Sequence, residues 1–496
     1  MLYVRGGPRP AEMRVRLPPL PWVAACLVLG LLTACQSRPA SNLVVICIDT
    51  VRYDSFMLTG LTDALTPWID KAQVYENATA SGPWTMPSVA SVLTGLHPVQ
   101  HTAGRFPGEA ANLATQPPSP LPGESRTITE RLRESGFRAG AFVSHPFFHA
   151  ELGLDQGFEL VAPRKGWEKD LERFREWRAE IAPEERFFGY LHFMEAHDWH
   201  LGSREALRGR LAALGPEIRQ DVIARARPDN CQEPDALRCL RHQVYNAAVL
   251  ELRRAVAAVL RDLEDSGMLD STVVLVYSDH GEEFWEHEDE QQLAAQDPRK
   301  FYGFGHGQNL FQQLLHVPLL AWIPGERGAR HEPLVSLVDI YPSALAWLGL
   351  DSEEVETAGH VLPTRRNGSV PADRVIYSSG IAYGPEKMAA RSAELKAIFT
   401  PHADHFAYYD LAADPGEHEP LQDRPDLTML FDTLVGDYLE QAAATAVTAT
   451  RFTDDQILQL KAIGYLQGYQ PEASATTSES PAPSVRSNGD SEENQP

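Results

Sequence analysis

Residues 42–50 read NLVVICIDT: an apolar, β-branched run closed by an aspartate. A continuous run of this kind, without polar alternation, fits a strand buried on both faces, and such strands form the interior of parallel sheets. Open α/β sheets bind ligands outside the carboxyl ends of their strands, so Asp49 stands where a site is expected. A second run, TVVLVY over 272–277, ends in Ser278-Asp279-His280-Gly281. Two carboxylates at buried strand ends are costly unless a cation lies between them.

Working outward, the chain alternates between helical and strand patterns. Helices are expected over Ser125–Ser135, Glu168–Ala182, Tyr245–Ser266 and Leu337–Leu348; strands over Ala139–Ser144, Phe187–Met194 and Val317–Trp322. This order predicts an α/β fold, a large mostly parallel sheet sandwiched by helices, over residues 42–350. Residues 201–241 are polar, Arg-rich and Cys-flanked, as in a surface insertion. Beyond Asp351 the pattern weakens to short strand candidates, Val375–Ser379 and Leu395–Phe399, which predicts a smaller C-terminal α+β subdomain over 351–467. Residues 468–496 are rich in Ser, Pro, Glu and Asn with no apolar period and are expected to be disordered.

The 496-residue chain carries a net charge of −24 with 43% hydrophobic residues. That charge argues against nucleic acid as a partner and against a polybasic grip on anionic lipid. The N-terminus is different. Arg5, Arg9, Arg14 and Arg16 precede a short apolar run, Pro21 to Ala34, which predicts a signal peptide over 1–34 rather than a membrane span. Leu32-Thr33-Ala34-Cys35 resembles a bacterial lipobox, which makes Cys35 the lipidated first residue of the mature chain and 35–41 a short linker. No Asp follows Cys35, so the expected location is the outer membrane, facing the periplasm. Of the other cysteines, Cys26 lies in the leader and Cys47 reads as a buried thiol. Cys231 and Cys239 are expected to pair in an exported protein, with two free thiols or a metal site as the alternatives.

The stretch SGPWTMPSVASVLTGL, residues 81–96, reads as a loop entering a helix. Pro87 suits the first helical position, Val89, Ala90, Val92 and Leu93 give an apolar face, and Gly95 stops it. Thr85 is then placed just ahead of the helix N-terminus, where free N–H groups favour an anionic oxygen. Alone, such a threonine is a cap. Together with Asp49, Asp279 and His280 it completes a four-ligand set for one divalent ion, which would lower the pKa of its hydroxyl. His192, His197 and His200 in LHFMEAHDWH, His287 in the acidic loop and His306 in GFGHGQN are candidates for holding a phosphate or sulfate oxygen and protonating a leaving group.

These motifs carry a family resemblance. NLVVICIDTVRYDSF, TPWID, WTMPSVASVLTGLHP, LHFMEAHDWH, SDHGEEFWEH, GHGQNLFQQLLHVPLL, VSLVDIYPSALAWLGL, YYDLAADPGEHEPL and LKAIGYLQ follow in the order found in the sulfatase branch of the alkaline phosphatase superfamily. The resemblance covers about residues 42–465. It implies an alkaline-phosphatase-like fold, metal ligands at Asp49, Asp279 and His280, and a nucleophile at Thr85. It also implies oxyanion-binding or leaving-group roles at His197 and His306, with weaker assignments at His192 and His287 and at Arg52, which follows the metal aspartate in a D-T-x-R form and has an ion pair with a neighbouring acid as its alternative. Classical sulfatases carry C/S-x-P-x-R, whose Cys or Ser is oxidised to formylglycine. Here the string is Thr85-Met86-Pro87-Ser88-Val89, so no formylglycine is expected, and the second early aspartate is Thr50. The Asp-x-x-x-His set of two-zinc relatives is not found around His197, so one metal is expected, with zinc, manganese, calcium and magnesium undecided.

The implied activity is hydrolysis of a phosphoester, phosphonate ester or sulfuric ester of a small molecule, glycan or lipid. The alternatives are transfer of a phospho-group to an envelope lipid or glycan, and a non-catalytic envelope binding protein.

Overall fold

The structure, a computed structural model, describes residues 40–57, 62–106, 110–143, 145–162, 166–197, 204–212, 237–287, 304–351, 356–422 and 452–462, with a few further positions that include Tyr465 and Leu466. The leader with Cys35, His200, Cys231 and residues 468–496 lie outside the described residues. Among the described residues no helix is long and apolar enough to cross a membrane.

The expected buried strand, β1 (Asn42–Ile48), sits inside an eight-stranded sheet. The other strands are β2 (Gln73–Thr79), β3 (Phe137–Val143), β4 (Leu160–Val161), β5 (Arg186–Phe193), β6 (Thr272–Tyr277), β7 (Leu319–Trp322) and β8 (Ala329–Ser336). Their order is β8-β2-β7-β6-β1-β5-β3-β4. β1 pairs in parallel with both β5 and β6, and only β7 runs against its neighbours. β2 and β8 escape a sequence reading because QVYENAT and ARHEPLVS have no apolar run, and β8 alternates exposed and half-buried positions at its start.

Side-chain alternation along β1 explains why helices cover both faces. Leu43, Val45 and Cys47 join one core with Val273, Leu275 and Tyr277. Val44, Ile46 and Ile48 join the other with Val274 and Val276. The first face is covered by α1 (Thr85–Thr94), α2 (Ile128–Glu134) and, later in the chain, the helix Ile340–Trp347; the second by α3 (Trp167–Ala179) and α4 (Leu237–Asp265). α2 starts later than Ser125 because Thr127 and Glu130 form its capping box. α4 begins earlier than Tyr245, so residues 237–241 of the expected insertion are helical. Cys239 is buried on α4 and disulfide-bonded; its expected partner, Cys231, lies outside the described residues.

A second, antiparallel sheet comprises β9 (Ile376–Ser379), β10 (Met388–Arg391), β11 (Leu395–Thr400) and β12 (His405–Asp410). Buried polar contacts tie this region to the rest: Arg374 makes two bonds to Asp339 (2.5 and 2.7 Å), and Lys396 Nζ, paired with Glu417, donates to the Leu310 carbonyl.

Three histidines outside the Asp49–Asp279 cluster, His101 buried and His97 and His316 partly so, set an acid limit on stability. Burial lowers His97 to about 4, His101 to about 3 and His316 to about 4. The unfolded chain, titrating near 6.5, binds more protons than the folded one below that pH, so stability falls as pH drops through the window toward 4. Going from pH 7 to 5 is expected to cost on the order of 2 kcal/mol for each of them. The urea midpoint should fall over that range; a level midpoint would refute the assignment of neutral buried imidazoles.

Candidate active site

The site forms where β1, β5 and β6 end side by side. Register places Cys47 opposite both His192 and Tyr277, so the residues just beyond, Asp49 and Asp279, emerge together. The turn after β1 is strained and heavily tied. Thr50, a β-branched residue, has φ 64°, which costs on the order of 1–3 kcal/mol and persists only where surroundings impose it. Its N–H donates to Asp279 Oδ1 (3.2 Å), its hydroxyl to Asp49 Oδ1 (2.5 Å), and its carbonyl accepts from the Tyr245 hydroxyl (2.9 Å). Ser278 Oγ accepts from Val51 N (2.8 Å) and donates to the His280 carbonyl (2.7 Å), stitching the two turns together. Gly281 allows the close approach of the next segment: a Cβ there would meet the Gln313 carbonyl at 2.0 Å.

Asp49, Asp279 and His280 are fully buried and offer ligand atoms within 4.8 Å of one another. His280 Nε2 lies 3.7 Å from Asp49 Oδ1 and 3.4 Å from both Asp279 Oδ2 and Thr85 Oγ1. Asp279 Oδ2 has no hydrogen-bond partner. The two carboxylates divide their charge unequally. Burial and the Asp49 charge raise Asp279. Burial would raise Asp49 as well, but the His192 hydrogen bond and the neighbouring imidazoles hold it well below the usual carboxylate range.

Thr85 is fully buried, as is every residue of α1. The expectation of a threonine ahead of the helix is corrected. Trp84 is the N-cap, Thr85 is the first helical residue and Pro87 the third, a position whose N–H also needs no helical partner. The expected one-sided apolar face is likewise replaced by burial all round. Gly95 ends the helix at φ 70° as read.

His197 and His306 are brought to the same place, ring centroids 5.2 Å apart, with His306 4.5 Å from the His280 ring. His192 stands behind Asp49, Nε2 2.8 Å from Oδ2, as an orienting partner. Cys47, His192 and Asp279 also converge, but burial and the two aspartates push the Cys47 thiol up, which disfavours the thiolate. Arg52 pairs with Asp54 (2.9 Å) and Glu286 (2.7 Å). His287 bonds Glu283 (2.8 Å) and the Gly416 carbonyl (2.9 Å), stacking on Phe311, and so sits in a structural link.

Three residues at the site escaped the sequence reading. His145 follows β3 and is buried; its Nδ1 accepts from Phe147 N (3.2 Å), so the neutral ring carries its proton on Nε2. That Nε2 has no hydrogen-bond partner, and the ring lies 5.6 Å from His192 and 6.1 Å from His197. Burial holds this imidazole well below its usual pKa, keeping it a neutral donor. Glu282 sits 3.3 Å from His306 Nδ1, and Tyr465 arrives from the C-terminal segment. A histidine just after a strand was a signal open to reading at His145.

The sulfatase family profile matches residues 41–350. The chain belongs to the sulfatase family. It is 37% identical over 107 residues to zebrafish (Danio rerio) arylsulfatase K, a match covering 21% of this chain and 18% of that protein. The sulfatase-family chain spans less than half the length of such curated relatives. Among solved structures, phosphonate monoester hydrolase of Agrobacterium radiobacter superposes with a TM-score of 0.56 at 16% identity, over 84% of this chain and 100% of that one. A protein in complex with its substrate D-glucosamine-2-N,6-O-disulfate superposes with a TM-score of 0.60 at 15% identity, over 83% and 99%. These likenesses establish the alkaline-phosphatase-like fold.

Proposed function

We propose that this sulfatase-family chain is a metal-dependent ester hydrolase in which Thr85 is the nucleophile, acting preferentially on phosphate or phosphonate esters. The observation that carries the reading is the burial of Thr85, Asp49, Asp279 and His280 in one cluster at the sheet's carboxyl edge. The cluster suits a divalent ion on chemical grounds: two carboxylates and an imidazole converge without solvent, and one carboxylate oxygen is unpartnered. Asp49, Asp279, His280 and Thr85 would hold it, and it would activate the hydroxyl and neutralise charge on the reacting ester.

The chain's own residues do the remainder. His192 and Thr50 fix the Asp49 carboxylate. Thr85 Oγ1 is presented at the start of α1, where helix N–H groups favour developing negative charge. The Nε2–H of His145 is a preset donor for an oxygen of the transferred group. His197 and His306 flank the leaving side and supply its proton. Threonine cannot form the formylglycine aldehyde, and this favours phosphorus over sulfur. A signal peptide over 1–34 and lipidated Cys35 would hold the enzyme at the outer membrane, facing the periplasm; mass spectrometry of the mature N-terminus tests that placement.

The function is tested by a panel of aryl phosphate mono- and diesters, phosphonate esters and sulfates with zinc, manganese, calcium and magnesium. A phosphorus ester should be turned over, and a chelator should stop it. Turnover of sulfates alone would overturn the phosphorus preference. A chain that binds no metal and cleaves nothing would be a binding protein instead.

A further inference from the structure

Tyr465 lies in LKAIGYLQ, outside the residues matched by the family profile. Its side chain is only 2% exposed. The ring stacks on Phe147 (5.4 Å) and meets Trp84 edge-on (6.4 Å). Its backbone is fixed: Tyr465 N donates to the Leu460 carbonyl (2.9 Å) and Leu466 N to the Leu113 carbonyl (3.2 Å). The hydroxyl lies 3.3 Å from His197 Nε2 and 3.2 Å from His306 Nε2, bridging the two imidazoles assigned to the leaving side.

One hydroxyl thus spans both imidazoles, and a phenol oxygen can accept a proton from one neighbour while passing its own to another.

We infer that Tyr465 is a catalytic proton-relay residue, its hydroxyl held between His197 and His306 to protonate the leaving oxygen. The inference rests on the ester-hydrolase reading above. As the ester bond breaks, its electron pair moves to the leaving oxygen. The Tyr465 O–H bond breaks and a new O–H bond forms on that oxygen. The tyrosine oxygen takes the Nε2 proton of His197, which is cationic before the step and neutral after it. The water that later releases the group gives its hydroxyl to that group and one proton to the Tyr465 oxygen, whose own proton returns to His197, and Thr85 departs in the deprotonated state in which it attacked, so atoms and charge balance over a turnover.

The test is Tyr465→Phe assayed on a para-nitrophenyl ester and an alkyl ester of the same acid. Nitrophenolate departs without a proton, whereas an alkoxide needs one. Turnover of the alkyl ester should fall by about a hundredfold or more, and that of the para-nitrophenyl ester by less than about threefold. An equal fall for both esters would make Tyr465 structural, and no fall, or a rise, would also overturn the relay. Ring-fluorinated tyrosine at 465 keeps shape and hydroxyl and should restore alkyl-ester turnover even if the phenylalanine variant folds poorly; failure to do so counts against the relay. If the wild-type chain cleaves no ester, the hydrolase reading itself falls. Nitrogen NMR of the histidines then judges the bridge separately: Tyr465→Phe should change the His197 and His306 ring signals, and unchanged signals would refute it.

Discussion

Thr85→Ala is expected to lower kcat on a phosphorus ester by about ten-thousandfold, the scale of removing a nucleophile that acts as a unit with its partners. Stability should barely move. Thr85 caps nothing, since Trp84 is the N-cap and makes no side-chain cap bond, and the hydroxyl's contact with His280 is a long 3.4 Å. Alanine is also a good helix former at this position. The separation of activity from stability is therefore the signature of the nucleophile. Thr85→Ser should recover much of the rate, because it returns a hydroxyl to the same first helical position. Rapid acid quenching of the wild type should trap a phosphoryl adduct on the peptide holding Thr85. Full activity in Thr85→Ala would sink the mechanism.

Asp279→Asn should separate function from stability in the opposite sense. Metal binding and ester hydrolysis should both be lost, while the chelator-treated variant should be more stable than chelator-treated wild type. The reason lies in how Asp279 is partnered. Oδ1 accepts from Thr50 N (3.2 Å) and His280 N (3.0 Å), which asparagine's carbonyl can keep. Oδ2 is buried, unpartnered and close to the Asp49 charge. Replacing that oxygen with a neutral donor removes a penalty of about 1–3 kcal/mol, the usual cost of an unsatisfied buried group. Elemental analysis and thermal melts with and without chelator read both effects. A variant that retains metal and activity would refute the ligand assignment. One that melts lower than the wild type in chelator would refute the account of the strain.

The sheet core was legible because burial on both faces leaves a plain mark: NLVVICI and TVVLVY admit little polar substitution. The same logic made Asp49 and Asp279 conspicuous, since charges at the ends of such strands need a reason. β2 and β8 left no such mark: QVYENAT carries polar residues even where it is buried, and β8, at the sheet's edge, buries only part of its side chains. The start of α1 was misread by two residues, since Pro87 fits any position of the first turn, where N–H groups have no helical partner. His287 shared its residue type with the candidate active-site groups, and only its partners revealed structural pairing, whereas Arg52 forms the ion pair with a neighbouring acid that its sequence position had offered.

The sequence by itself determined the α/β class and the sulfatase-like order of motifs, and it singled out Thr85, Asp49, Asp279 and His280 as candidates. Those features are carried by short stretches of local sequence, which one dimension holds. Tertiary structure alone decided that His192 braces Asp49, that His145 offers a fixed proton donor, and that Tyr465 joins His197 to His306. Strand register and long-range packing set these contacts. Tyr465 and His197 are 268 positions apart, and no local pattern records a separation of that kind.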